Sequence, residues 1–209
     1  MGGNQLSGSI PPDIGNLVNL QELDLNSNQL TSLPPGIGNL VSLSYLDLTS
    51  NQLASLPPEI GNLTNLQLFH LGHNQLAYLP SDIGNLANLQ ELDLMNNQLP
   101  SLPPEIGNLV NVQELDLKNN QLTSLPPEIG NLTYLKGLNL SNNRISGHIP
   151  ATFSNLGNLS YLNLEGNAGM PCWETQEALN WALSLLAYYG PAQACGAYLP
   201  LVCSGNDNQ

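Results

Sequence analysis

Positive charge is what this sequence most lacks. Its 209 residues contain 3 Lys and Arg against 16 Asp and Glu, which gives a formal net charge of −13 and a pI near 4.1. Nucleic-acid phosphates and anionic membrane surfaces repel a chain of this charge. The composition therefore excludes nucleic acid as a partner.

Aromatic residues and long apolar runs are also scarce. Aromatic side chains make up 5 % of the chain, so its core must be aliphatic. The most apolar stretch, residues 178–189, is too short to cross a bilayer and is interrupted by Asn180 and Ser184. We expect no membrane insertion. No signal peptide is visible after Met1, although a longer parent chain could have carried one.

What the sequence has instead is a repeat. The triplet Asn-Gln-Leu recurs at a nearly constant spacing, with its first residue at Asn4, Asn28, Asn51, Asn74, Asn97 and Asn120. It belongs to the pattern L-x-x-L-x-L-x-x-N-x-L, which starts at Leu20 and recurs from Leu43, Leu66, Leu89, Val112, Leu135 and Leu159. The alternating leucines predict short strands that bury one face. One unit is too small to bury its own leucines, so the units must stack around a shared core.

This pattern resembles the leucine-rich repeat family over residues 4–167. The outer units resemble plant-type repeats, and the inner units carry Leu-Pro-x-x-Ile-Gly-x-Leu and are shorter by a single position. The resemblance implies an α/β solenoid, a right-handed superhelix with a parallel β-sheet on its concave face and an irregular or 3-10 convex side. We expect about seven repeats in residues 1–169, without an N-terminal cap, and a helical C-terminal cap with cysteines in residues 170–209.

The periodicity of residues 174–189 predicts the helix of that cap. Its apolar face would hold Leu179, Ala182, Leu183 and Leu186. Gly190 and Pro191 predict its end. We expect Trp173 and Trp181 to fill the core rather than to form a carbohydrate platform.

All three cysteines, Cys172, Cys195 and Cys203, fall in this cap. One disulfide and one remaining thiol would favour an oxidising compartment, and hence an extracellular or cell-surface location. The resemblance favours Cys172 with Cys195, a spacing similar to that of capping modules in extracellular relatives. Against that pairing, the six residues after Tyr189 span at most about 20 Å, barely enough to run back along the helix. Cys203 could return without strain, so the pairing stays open.

In this architecture the strand residues between the leucines face solvent on the concave side. The middle position of each strand holds Asp24, Asp47, His70, Asp93, Asp116, Asn139 and Asn163. Strands about 4.8 Å apart place the aspartates side by side, at about 1 kcal/mol per like-charge pair. Two explanations remain: duplication copied the acids of one unit, or the acids bind a cationic partner.

The middle repeat departs most from the pattern. It has Phe69 in a leucine slot, and Leu68, His70, Gly72 and His73 on or beside the concave face. We expect Gly72 to open space there, beside apolar contact from Leu68. A metal held by His70, His73 and an Asp is an alternative. We predict no cofactor.

The candidate ligand-binding residues all lie on the predicted concave face. They are Glu22, Asp24, Tyr45, Asp47, Leu68, His70, His73, Glu91, Asp93, Met95, Glu114, Asp116 and Lys118. No P-loop, G-x-S-x-G or H-E-x-x-H motif is present, so no catalytic residue is predicted.

These residues and the resemblance together predict a non-catalytic recognition module. It would bind a protein or peptide with a basic patch on the acidic concave face. The alternatives are an inhibitor that docks on a secreted hydrolase, and a structural or surface spacer. Ice adsorption is disfavoured, because it calls for a weakly charged face rich in Thr. The leucines of the uncapped first repeat also predict an end-to-end homodimer.

Overall fold

The computed structural model describes residues 2–167 and 172–189, with side chains up to Ser184 in the last segment. Within these residues the strands are β1 (Ser7–Ser9), β2 (Glu22–Asp24), β3 (Gln29–Ser32), β4 (Tyr45–Asp47), β5 (Leu68–His70), β6 (Glu91–Asp93), β7 (Glu114–Asp116), β8 (Gly137–Asn139), β9 (His148–Ile149), β10 (Tyr161–Asn163) and β11 (Cys172–Trp173). One α-helix, α1 (Gln176–Tyr189), follows them.

Seven of these strands form one parallel sheet in the order β10-β8-β7-β6-β5-β4-β2. The register pairs equivalent positions of successive repeats, such as Leu46 with Phe69 and Leu92 with Leu115. β1 pairs with β3, and β9 with β11, in two small parallel sheets. The structure confirms the solenoid with one strand of the main sheet per repeat.

A 3-10 helix faces the sheet across the core in each repeat. These helices are Pro12–Asn16, Pro35–Asn39, Pro58–Asn62, Ser81–Asn85, Pro104–Asn108, Pro127–Asn131 and Ala151–Asn155. Proline suits their first position, because its fixed φ matches the helix and its missing N–H has no partner to lose there. Gly107 allows two such helices to approach, since a Cβ there would overlap the backbone oxygen of Glu128.

The core is aliphatic, as predicted. The two strand leucines, the helix isoleucine and the turn leucines of the inner repeats are almost all fully buried. Phe69 takes the place of a strand leucine and is also 0 % exposed. These side chains form one continuous cluster from Ile10 to Ala182, as stacked repeats require.

The recurrent asparagine joins each repeat to the one before it. The amide nitrogen of Asn97 donates to the carbonyls of Leu71 and Leu94 at 3.0 and 3.1 Å. Its amide oxygen accepts the Leu76 N–H at 3.0 Å. Asn51, Asn74, Asn120 and Asn143 repeat this pattern. One buried side chain thus satisfies backbone groups that the turn leaves without partners.

The residue before each of these asparagines has a left-handed backbone. Ser27, Ser50, His73, Asn96, Asn119 and Asn142 all have φ between 53° and 57°. Ser, Asn and His are small or polar enough to adopt this conformation. The conformation of His73 is therefore the one that its position requires in every repeat.

Helix α1 covers the end of the last repeat. It begins at Gln176, two residues later than predicted, because the Thr175 hydroxyl accepts the Ala178 N–H at 3.2 Å. Trp173 is fully buried, and its ring centroid lies 5.9 Å from that of Trp181 and 6.1 Å from that of Phe153. Both tryptophans pack in the core, as predicted.

The predicted apolar face of α1 is correct at Leu179 and Ala182 and wrong at Leu183. Ala178 and Ala182 are buried and Leu179 packs against the core, whereas Leu183 is 45 % exposed. Cys172 is disulfide-bonded. Gly190, Pro191, Cys195, Cys203 and the side chain of Leu186 lie outside the described residues, and the pairing of Cys172 stays a prediction.

We expect Asn97→Ala to lower the free energy of unfolding by about 1–3 kcal/mol, because it leaves the buried Leu76 N–H unpaired. The Leu71 and Leu94 carbonyls keep the Asn74 and Asn120 amides as donors. Urea unfolding measures the change. Asn88→Ala is the control: Asn88 is exposed and makes one hydrogen bond, to the Thr64 carbonyl. It should cost under about 1 kcal/mol. Equal losses in the two variants would contradict the role of Asn97.

Candidate functional site

The exposed side of the seven-stranded sheet, here called the concave face, carries a regular array of side chains. Register pairs Asp24 with Asp47 and Asp93 with Asp116, with His70 between the two pairs. Glu91 pairs with Glu114 in the neighbouring column.

Thirteen residues were predicted to bind ligand, and ten of them are strand residues of this face. Met95 and Lys118 lie just after β6 and β7, where their backbone N–H groups bond the preceding aspartates. His73 lies at the edge of the face, where its Nε2 is 3.1 Å from the Asn96 side-chain nitrogen.

The aspartate column also has a structural role that the sequence analysis missed. One carboxylate oxygen of Asp93 accepts the Met95 N–H at 2.9 Å, and Asp116 accepts the Lys118 N–H at 2.8 Å. Asn139 and Asn163 accept the equivalent N–H groups in the last two repeats. This is an Asx turn, which an Asp or an Asn can form. The occurrence of both Asp and Asn at this strand position was the sequence signal for the turn. The turn explains the polar side chain but not its negative charge.

In the pair formed by Asp24 and Asp47, hydrogen-bond donors stabilise the charge of Asp47. Asp47 is 8 % exposed, and its second oxygen accepts hydrogen bonds from the Asn26 amide and the Tyr45 hydroxyl, both at 3.2 Å. Burial acts to raise the pKa of Asp47, but the hydrogen bonds from Thr49, Asn26 and Tyr45 outweigh it and hold that pKa below its usual value. Burial first, and then the Asp47 charge, raises the pKa of Tyr45.

The second acidic group lies on β6 and β7 and is less well compensated. Burial and the charge of Asp116 raise the pKa of Asp93, although the Met95 N–H and the two histidines act against the shift. Burial and the charge of Glu91 raise the pKa of Glu114. Among the described residues the one ion pair joins His70 to Glu91, so no Lys or Arg there pairs with an acid. Lys136 instead donates to the Gln113 side chain.

A cavity of about 360 Å³ opens beside these carboxylates. The backbone of Leu92 and Leu115 borders it, because both side chains are buried in the core, and its lining includes Glu91, Asp93, Glu114, Asp116, Gly137, Asn139 and Tyr161. The last three were not among the predicted site residues. They come from β8 and β10, where the acidic motif is lost, so the motif could not point to them.

The middle repeat contributes an imidazole and apolar contacts. His70 Nε2 lies 3.2 Å from Glu91 Oε1, a distance that suits an ion pair but lacks hydrogen-bond geometry. The Tyr45 and His70 rings meet edge-on at 5.5 Å. The expectation that Gly72 opens space was wrong: a Cβ there would lie 2.7 Å from Asp93 Oδ2 and 3.1 Å from Met95. These neighbouring side chains fold over the glycine and fill the gap.

The described side chains do not form the metal site that the sequence offered as an alternative. No group of three or more His, Cys, Asp or Glu side chains in the described part of the chain is placed to hold a metal ion, which disfavours the alternative at His70 and His73. Nor does any helix within the described ranges have the length and apolarity to cross a membrane.

A parallel sheet with one strand per repeat, backed by 3-10 helices, defines the protein as a repeat solenoid. The leucine-rich repeat region profile matches residues 4–103, and the leucine rich repeat profile matches residues 109–168. The chain belongs to the leucine-rich repeat family. No curated protein sequence matches it.

Solved structures of the family resemble the chain over most of its length. A leucine-rich repeat protein of Leptospira interrogans is 40 % identical over 84 % of this chain and 44 % of its own, with a TM-score of 0.75. The ectodomain of the Arabidopsis thaliana membrane receptor kinase GASSHO1/SCHENGEN3, in complex with CASPARIAN STRIP INTEGRITY FACTOR 2, is 39 % identical over 86 % and 22 %, with a TM-score of 0.76. The plant peptide hormone receptor RGFR1, in complex with RGF2, is 30 % identical over 82 % and 32 %, with a TM-score of 0.61. This chain spans less than half the length of each.

The pKa shifts predict opposite pH effects for two similar substitutions. Folding raises the pKa of Asp93. Asp93 therefore contributes stability that is fully present at low pH and is lost as the pH rises through the folded pKa. Asp93→Asn should therefore stabilise the protein at pH 7, by an amount that shrinks in acid. The stability supplied by Asp47 is instead present above its unfolded pKa and lost as pH falls through its folded pKa. Asp47→Asn should destabilise at pH 7.

Urea unfolding of the wild type and both variants, at pH values from 3 to 7, tests this pair. Both variants keep an acceptor for the Asx turn, as Asn139 does. The same sign for both substitutions at pH 7 would contradict the assignment.

Proposed function

We propose that this protein is an extracellular or cell-surface recognition module that binds a basic protein or peptide on its concave face. The two plant receptor structures that it resembles are in complex with CASPARIAN STRIP INTEGRITY FACTOR 2 and with RGF2, which supports a protein or peptide ligand. The proposed module is non-catalytic. An inhibitor or a spacer could share the fold, but no feature of the concave face favours either.

The observation that carries this proposal is the incompletely compensated charge on β6 and β7: His70 pairs with Glu91 and Asn139 donates to Asp116, but no Lys or Arg of the described residues forms an ion pair with these four carboxylates. Asn139 and Asn163 form the same Asx turn without charge, so the fold does not need carboxylates at this position. Asp93 and Asp116 nevertheless lie side by side, in the column next to that of Glu91 and Glu114. A cationic ligand would remove their mutual repulsion, so charge complementarity favours a basic partner.

The disulfide at Cys172 supports the proposed location. Disulfides persist in oxidising compartments and are rare in the cytosol. The binding partner would then be met outside the cell or at its surface.

We expect the double variant Asp93→Asn plus Asp116→Asn to lose at least about tenfold in affinity for basic peptides, since each close charge pair contributes about 1 kcal/mol or more. The peptides come from a random 12-residue display library selected on the wild type, and titration measures their affinity. Affinity should also fall steeply with added salt.

The matched control is Glu105→Gln plus Glu128→Gln. It removes the same two charges from the 3-10 helices on the other side of the core. It should change affinity by less than about threefold, because those charges lie more than a Debye length of about 10 Å from the ligand. Equal losses in both double variants, or selected peptides without basic residues, would overturn the proposal.

We also propose that a second copy covers the N-terminal end of the solenoid. A cavity of about 540 Å³ there is lined by apolar side chains that include Leu6, Ile10, Ile14 and Leu17, with Asp13 as its one charged residue. Leu6 and Leu17 are 41 % and 50 % exposed at this end, whereas Leu23 and Leu25 beneath them are buried. Two such ends would bury apolar surface with little charge repulsion.

Leu17→Glu should shift the dimer to the monomer, because it places a charge in that apolar contact. Light scattering at high protein concentration measures the mass. Val41→Glu is the control, since Val41 is 49 % exposed in the next repeat, against 50 % for Leu17. A wild type that stays monomeric, or a dimer that both variants disrupt, would contradict this interface.

A further inference from the structure

The concave face has one place where a ligand can make aliphatic contact. Leu68 is the single aliphatic side chain among its strand residues and is half-buried. It pairs in register with Tyr45, and Tyr45 meets the His70 ring edge-on. We call Tyr45, Leu68 and His70 the central patch. The equivalent positions of β6 and β7 hold Glu and Asp, so the patch interrupts an otherwise acidic surface.

The carboxylates that line the 360 Å³ cavity begin one strand away. Glu91 and Asp93 lie on β6, and Glu114 and Asp116 on β7, and their side chains project on the same side of the sheet around the cavity. A Lys or Arg side chain that enters between these strands would have its charged end among the four carboxylates. The cavity therefore suits a single basic side chain.

The spacing between these two places selects a ligand conformation. The midpoint of β6 and β7 lies one and a half strand spacings from β5, which is about 7 Å. In an extended chain, residues i and i+2 point to the same side and lie about 6.8 Å apart. An extended ligand that runs across the strands therefore matches both places with one intervening residue, which points away from the sheet.

Two other modes of peptide binding fit less well. An α-helix in a groove needs an apolar stripe at i, i+3, i+4 and i+7, whereas here Leu68 is the one aliphatic side chain among the strand residues of the concave face. Addition of a strand needs a free edge, whereas β5, β6 and β7 are each paired on both sides.

We propose that the ligand is an extended peptide segment that places an apolar side chain on the central patch and a Lys or Arg, two positions away, in the cavity between β6 and β7. This rests on the proposed function, because it names the class of ligand for the same face. Charge complementarity supplies the basic residue, and the central patch supplies the apolar one.

The test uses the peptides selected from the random 12-residue library on the wild type. We expect an apolar residue two positions before or after a basic residue to be enriched. Synthetic copies of one selected peptide, with the basic residue moved to spacings of one, two, three and four, should bind about tenfold more tightly at a spacing of two than at one or three. Leu68→Gln should remove this preference. Val41→Gln, which changes an exposed aliphatic side chain away from the concave face, should keep it.

The outcomes separate this inference from the proposed function. Basic peptides that depend on Asp93 and Asp116 but show no preferred spacing, or bind Leu68→Gln as well as the wild type, overturn the inference alone. Enrichment at spacings of three and four points to a helical ligand and also overturns it. Selected peptides without basic residues overturn both. Thermal unfolding of Leu68→Gln shows whether the variant is folded.

Discussion

The hydrogen bonds of the buried asparagine in each repeat are the interaction on which the rest of the structure depends. Each side chain, such as Asn97, bonds carbonyls of its own and the preceding repeat and one N–H of the preceding repeat. A short strand that turns sharply into a buried loop would otherwise leave these groups unpaired in an apolar core. Because the same bonds recur at the same position of successive repeats, the strands stay in register, and equivalent side chains align in columns across the sheet.

This alignment brings the acidic side chains of successive repeats together on one surface. An Asp at one position of an isolated repeat would be a solvated side chain, but stacking places Asp93 beside Asp116 and Glu91 beside Glu114. The two acidic groups of the sheet are not equivalent, however. Donors from Tyr45 and Asn26 satisfy Asp47, whereas burial and like charge raise the pKa of Asp93 and Glu114. The acidic surface is therefore concentrated at β6 and β7.

The middle repeat and the cap show where a repeat pattern stops being informative. Gly72 reads as open space in the sequence, yet Asp93 and Met95 from the next repeat fill it. The pattern predicts Leu183 as a core residue of α1, yet Leu183 is exposed, and Ala178 is buried where the pattern did not predict it. At Gly72, residues that lie far along the chain decide what the position contacts.

The sequence by itself determined the family, the solenoid, the aliphatic core and the columns of the concave face, because all of these follow from a short pattern that recurs at a fixed spacing. Only the tertiary structure decided which acids are compensated, where a cavity opens and what the glycines accommodate. It brought in Gly137, Asn139 and Tyr161, which lie outside the acidic motif. Periodicity fixes which side chains are neighbours, but their burial, hydrogen bonds and charge depend on the conformations that neighbouring side chains adopt across the strands.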